Sequence, residues 1–225
     1  MFQLAFYSRY FDINTEDFLA NIQLALNPFN PAKSQPTDAT DLYGFLWINA
    51  TLVLLMFVSS TGANLLALWL HSDDTDARYE YNFRVLTLSI ALFYGYTALV
   101  PALFWALMSY VMEFKERVPL TLMMSIYSYA NVLWVPTTVA NVFLAVLVSR
   151  KSHRAVLSVL QWLLVAVTGV LSGLSIVRKV RPTVLQNVAE GNEHEAKRAN
   201  FLILSLILAH AVFSVVIKSA FFGIY

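Results

Sequence analysis

The sequence predicts an all-α integral membrane protein with five transmembrane helices and a short amphipathic N-terminal helix. Three observations carry that reading. Of 225 residues, 58% are hydrophobic and only 13% are charged, against about 25% charge in an ordinary soluble domain. The charges fall in short clusters, and the runs between them exceed the roughly 20 apolar residues needed to cross a bilayer. Ahead of the first such run, apolar residues recur at the spacing of one helix face.

Residues 1–44 form a polar region and residues 45–225 a five-span domain. In the polar region Phe18, Leu19, Ile22 and Leu26 share a face, Asn14 or Thr15 is a suitable N-cap, and Glu16 and Asp17 favour the positive end of the helix dipole. This predicts a helix over Thr15 to Leu26, whose stripe suits docking on the spans, on lipid or on a partner protein. Asn27-Pro28, Pro31 and Pro36 cannot continue it and mark a linker. The spans are expected at about 45–70, 85–112, 119–149, 155–177 and 201–225. The first four contain no Asp, Glu, Lys or Arg. The fifth carries Lys218, close enough to its end for the long stem to snorkel to the headgroups. Met1 to Asp17 lacks the basic and apolar blocks of a signal peptide, so the segment from Phe45 is expected to act as its own insertion signal.

Orientation follows from Lys and Arg, which cytoplasmic loops retain. With five alternating spans, Arg9, Lys33, Lys115, Arg117, Arg178, Lys179, Arg181, Lys197 and Arg198 share one side, and Arg78, Arg84, Arg150, Lys151 and Arg154 the other. The richer side takes the N-terminus, which is therefore expected in the cytoplasm, with the C-terminus lumenal or external.

Composition also narrows the function. A net charge of +1 gives no reason to expect a nucleic-acid partner, and the absence of cysteine excludes disulfides, thiol chemistry and Cys-ligated metal. No His-Glu-x-x-His, Gly-x-Ser-x-Gly, P-loop or dinucleotide fingerprint is present, so no enzyme activity, cofactor or metal is expected. Asp73, Asp74 and Asp76, and His194 between Glu193 and Glu195, read as solvated loop groups. Asn49-Ala50-Thr51 spells a glycosylation sequon, but inside a span it should stay unmodified. His210 lies in an apolar span about two turns from Lys218, and an ionisable group there is either a functional site or an imidazole bridging two helices.

Two spans carry similar patterns. The second reads Phe93-Tyr94-Gly95-Tyr96 with Pro101 beyond; the third reads Ile126-Tyr127-Ser128-Tyr129 with Pro136 beyond. Each proline is expected to bend its helix, and each small residue between tyrosines to allow a close helix approach. The bends could open a cleft for a lipid or prenyl chain. They are also what the broken helices of a small transporter or channel look like.

The first span is introduced by Asp41-Leu42-Tyr43-Gly44-Phe45-Leu46-Trp47-Ile48. This segment resembles the hallmark of the Yip family, multi-pass membrane proteins of the early secretory pathway named for interacting with Ypt/Rab GTPases. It matches at Asp41, Leu42, Tyr43, Gly44, Trp47 and Ile48 and departs at Phe45, where Pro is usual. Tyr10-Phe11-Asp12-Ile13-Asn14-Thr15, the two tyrosine and proline patterns, and a last span with His210, Lys218 and Phe221-Phe222 are similar to family segments in the same order. The resemblance implies a five-span, non-enzymatic adaptor of Golgi, ER or vesicle membranes. Its implied partners are membrane lipids, Rab-type GTPases, and copies of itself or related family members.

Overall fold

The computed structural model describes residues 8–29, 41–71, 83–147, 150–189 and 192–222. Among these residues the regular structure is all helical, without strands. Helix α1 is Thr15–Leu26, capped by the Asn14 side chain, whose oxygen accepts from Asp17 N at 2.7 Å. Helix α2 is Tyr43–His71, and α3 is Phe83–Ala106, extended by a π turn at Leu107–Val111. Helix α4, Leu120–Ala130, runs through a 3-10 turn at Asn131–Leu133 into α5, Trp134–Leu147. Helix α6 is Arg150–Leu185 and α7 is Glu193–Phe221, capped by Asn192.

Among the described residues, four segments are long and apolar enough to cross a membrane: Tyr43–Gly62, Phe83–Val111, Ala155–Leu185 and Glu193–Phe221. The third segment expected from sequence is divided. Its helices of 11 and 14 residues are each shorter than a bilayer requires. The division has a local cause: Pro136 has no N–H for the carbonyl of Val132 and its ring crowds that carbonyl, so the chain tightens at Asn131–Leu133. Helix α6 runs past its expected bounds at both ends, from Arg150 to Leu185, and α7 begins about two turns early, at Glu193, because polar residues there continue the helices beyond the apolar run.

Packing places α2 against α3, α4 and α5, α6 against α7, α4 and α5, and α3 against α7. Three polar segments meet at one end of this bundle. Asn187 accepts from Glu116 N at 2.9 Å and donates to Glu116 O at 2.8 Å, fastening the α3–α4 loop to the end of α6. Arg178 donates to the carbonyl of Pro28 and sits 5.3 Å from the centre of the Phe29 ring, which brings the chain after α1 to the same end. Asp73, Asp74 and Asp76 lie outside the described residues, as do residues 30–40 of the linker.

Candidate functional site

The motif before the first span is a clasp joining three parts of the chain. Asp41 is 3% exposed. Its Oδ1 accepts from the backbone N–H of Gly44 at 3.2 Å, capping the start of α2, and from the Tyr129 hydroxyl of α4 at 3.0 Å. Asn21 of α1 hydrogen-bonds the same tyrosine. The Tyr43 ring meets Phe18 of α1 edge-on with centroids 5.2 Å apart, and Phe18 lies 5.9 Å from the Tyr129 ring. Leu42 N donates to Tyr10 O at 2.7 Å, so the backbone before α1 is held as well. Gly44 lets the Tyr129 ring lie close against α2: a Cβ there would stand 3.1 Å from two carbons of that ring, which would have to shift by a few tenths of an ångström. Among the described residues Asp41 Oδ2 has no hydrogen-bond partner. Burial pushes the Asp41 carboxyl above its ordinary range, against the opposing effect of the Gly44 and Tyr129 hydrogen bonds.

Phe45, the departure from the family pattern, packs edge-on against Tyr94 of α3 at 5.5 Å, and the Tyr94 hydroxyl donates to Leu46 O at 2.7 Å. One turn deeper, Asn49 donates to Thr97 at 2.9 Å and accepts from Asn131 at 3.1 Å, bridging α2, α3 and the 3-10 turn. Asn49 is fully buried, and these bonds satisfy its amide inside the span.

The bundle centre is built on His210. Tyr96 approaches His210 Nδ1 at 2.5 Å, and Nε2 lies 2.9 Å from Ser172 Oγ and 3.1 Å from Gly169 O. A carbonyl only accepts, so the hydrogen of the neutral imidazole belongs on Nε2, and Nδ1 accepts from the tyrosine. Ser172 is consistent with this assignment, since its own hydroxyl donates to Thr168 O at 2.8 Å. The histidine thus joins α3, α6 and α7. Tyr96 also stacks on Phe213 at 3.7 Å with a 7° interplanar angle. Sequence reasoning missed Gly169 and Gly173, which make this contact possible: a Cβ on Gly173 would meet His210 at 2.8 Å, and one on Gly169 would meet Ser214 at 2.7 Å. The signal was available, since small residues four apart in an apolar helix mark a close interface.

Three expectations need adjustment. Gly95 admits no close approach, because a Cβ there meets nothing within 4 Å. Lys218 does not extend to the headgroups: it is 5% exposed, donates to Gln161 Oε1 at 3.3 Å and Phe222 O at 2.9 Å, and lies over Trp162. Gln161 passes the contact on to Asn141 at 2.8 Å, and this side chain pair holds the ammonium inward. Tyr96, Tyr127 and Tyr129 are all buried in packed surroundings, and a roomy groove lies elsewhere, between α6 and α7. Pro101 sits inside continuous α3, whereas Pro136 follows the 3-10 break. Among the described residues no three His, Asp or Glu side chains converge as a metal site would require.

The fold and its buried polar crosslinks define a multi-pass helical membrane protein. The chain is similar to "Protein YIP5" of Saccharomyces cerevisiae, with 35% identity over 173 residues covering 72% of this chain and 53% of that protein. It is 23% identical to "Protein YIPF1 homolog" of Dictyostelium discoideum over 227 residues, covering 99% of this chain and 56% of that one. To "Protein YIP5" of Schizosaccharomyces pombe it is 23% identical over 213 residues, covering 95% and 78%. The chain spans about half the length of the first two relatives. No family model and no solved structure matches it. These relatives support the resemblance to the Yip family.

Proposed function

We propose that this chain is a five-span membrane adaptor in vesicle-mediated transport between ER and Golgi, binding Rab-type GTPases or related family members. Its N-terminal region would face the cytoplasm and its C-terminus the lumen. Similarity to the Yip relatives supports the class, and one structural observation supports the adaptor reading. The Asp41 to Gly44 motif is used to order α1 at the polar end of the bundle rather than to build a reaction centre. An ordered amphipathic helix beside the span ends is a surface on which a partner protein can dock. Counting α4 and α5 as one span is supported by the backbone, which stays right-handed helical at Ala130, Asn131 and Trp134 and does not reverse there.

The test is a crosslinking pull-down of the tagged full chain from native membranes. Recovery of small GTPases or Yip relatives, lost with Tyr43→Ala, is the expected result. Recovery of neither from intact, correctly located protein overturns the adaptor reading and favours a small transporter or channel.

A further inference from the structure

Between α6 and α7 runs an open groove of about 450 Å3, within the roughly 300–1,000 Å3 range of single-ligand sites. Its walls are almost entirely apolar, from Trp162 at one end to Val177 at the other, with Gly169 and Gly173 at its base. Its rims, Val170, Ile207 and Val215, are 68%, 46% and 50% exposed, so it opens on the lipid-facing side of the bundle. At 1.5 Å per residue, Trp162 to Val177 spans about 22 Å, the reach of an extended hydrocarbon chain through more than one leaflet.

The mouth of the groove is charged. Arg181 follows Val177 by one turn and Leu174 by two, which puts it on the same helix face. On α7, Lys197 precedes Leu204, Ala211 and Val215 at helical multiples, which puts it on the opposing rim. Both are at the clasp-bearing end and both are exposed. Arg181 has no ionic partner among the described residues. Lys197 makes a single surface pair with Glu193 at 3.6 Å, with side chains 79% and 88% exposed, and such pairs hold weakly. Two cations bracketing an apolar trough complement an anionic headgroup followed by a chain.

We propose that this groove holds an acyl chain of an anionic phospholipid whose headgroup sits between Arg181 and Lys197. The glycines set helix spacing, the exposed rims grip the chain, and the two cations select charge. This goes beyond the adaptor reading and does not depend on it.

The full chain would be placed in lipid nanodiscs with phosphatidylserine or phosphatidylcholine carrying a photoreactive group in one acyl chain, and labelled peptides would be mapped by mass spectrometry. The expected result is labelling concentrated on Trp162 to Val177 and Ile207 to Val215, about 25-fold stronger with phosphatidylserine, since each of the two basic residues at the surface adds roughly a factor of five. R181A/K197A should bring phosphatidylserine down to the phosphatidylcholine level. Val170→Trp, which fills the groove from its exposed rim, should abolish labelling there, while Leu103→Trp on the exposed face of α3 should leave it unchanged. Labelling spread evenly over all exposed helix faces overturns the site. Equal labelling by both lipids, or none lost in R181A/K197A, overturns the headgroup assignment. The double variant alters only exposed side chains, so it reports even if the Val170 variant fails to fold.

Discussion

The two tyrosine and proline segments look alike in sequence and differ in structure. In α3, Tyr94-Gly95-Tyr96 leads into Pro101 with the helix unbroken, whereas Tyr127-Ser128-Tyr129 leads into a 3-10 turn before Pro136. Both prolines leave a carbonyl four residues back without its donor. Near Pro101 that residue is Thr97, whose hydroxyl donates to the carbonyl of Phe93 and receives Asn49. Near Pro136 it is Val132, which has no polar side chain to offer, and Asn131 beside it turns outward from its helix to reach Asn49. The tyrosines differ as well: Tyr96 and Tyr129 each find a buried partner, Tyr94 finds an exposed carbonyl, and Tyr127 finds none. A repeated pattern therefore specifies a proline in a membrane helix, while its neighbours decide whether the helix breaks.

Substitutions along the two segments sharpen this contrast, measured by thermal unfolding of purified protein in detergent. Asp41→Ala should have the largest effect, about 2–3 kcal/mol, because it removes the α2 cap and leaves the Gly44 N–H and the Tyr129 hydroxyl without their acceptor. Tyr96→Phe should cost about 1–2 kcal/mol by leaving His210 Nδ1 buried and unpaired, near the upper end for interhelical hydrogen bonds. Tyr129→Phe should cost about 1 kcal/mol, and Tyr94→Phe about 0.5 kcal/mol or less, since its hydroxyl bond is exposed. Tyr127→Phe should be neutral or slightly stabilising, because the hydroxyl it removes is buried without a partner. A Tyr127→Phe loss as large as that of Tyr96→Phe would break the comparison.

The smallest effect is a pH dependence confined to the clasp. Burial raises the Asp41 carboxyl above its ordinary range, so the folded protein holds that proton more tightly than the unfolded chain does. Its contribution is therefore most favourable below the ordinary carboxylate pKa of about 3.9, declines as pH rises to the raised value, and is level above it. Asp41→Asn keeps an oxygen for Gly44 and Tyr129 but cannot ionise. Melting temperatures across this window should fall for the parent relative to Asp41→Asn as pH increases. A parallel course for the two proteins would show that the carboxyl does not titrate within the fold.

Helix α1 was legible because its signals are local: the Asn14 cap, the acidic first turn and the apolar spacing all lie within one stretch, and the helix occupies Thr15–Leu26. The four long segments were legible for the same reason, since length and apolarity are properties of a run. The importance of His210 could be read from a lone imidazole in a hydrocarbon-compatible helix, but its partners could not. Tyr96 lies 114 residues away and Ser172 lies 38 away. Lys218 was misread because snorkelling is the default for a lysine near a span end, and only the fold brings Gln161 and Trp162 beside it.

By itself, then, the sequence determined that this chain crosses a membrane as helices, and it carried the Asp41 to Gly44 motif on which its resemblance to the Yip family rests. Both are consequences of residue type along a short stretch, where apolar transfer and local hydrogen bonding decide the outcome. Only the tertiary structure decided what the motif does and which polar groups meet. Those outcomes depend on helices distant in sequence bringing Asp41 to Tyr129 and His210 to Tyr96 within hydrogen-bond distance, in surroundings without water to satisfy them otherwise.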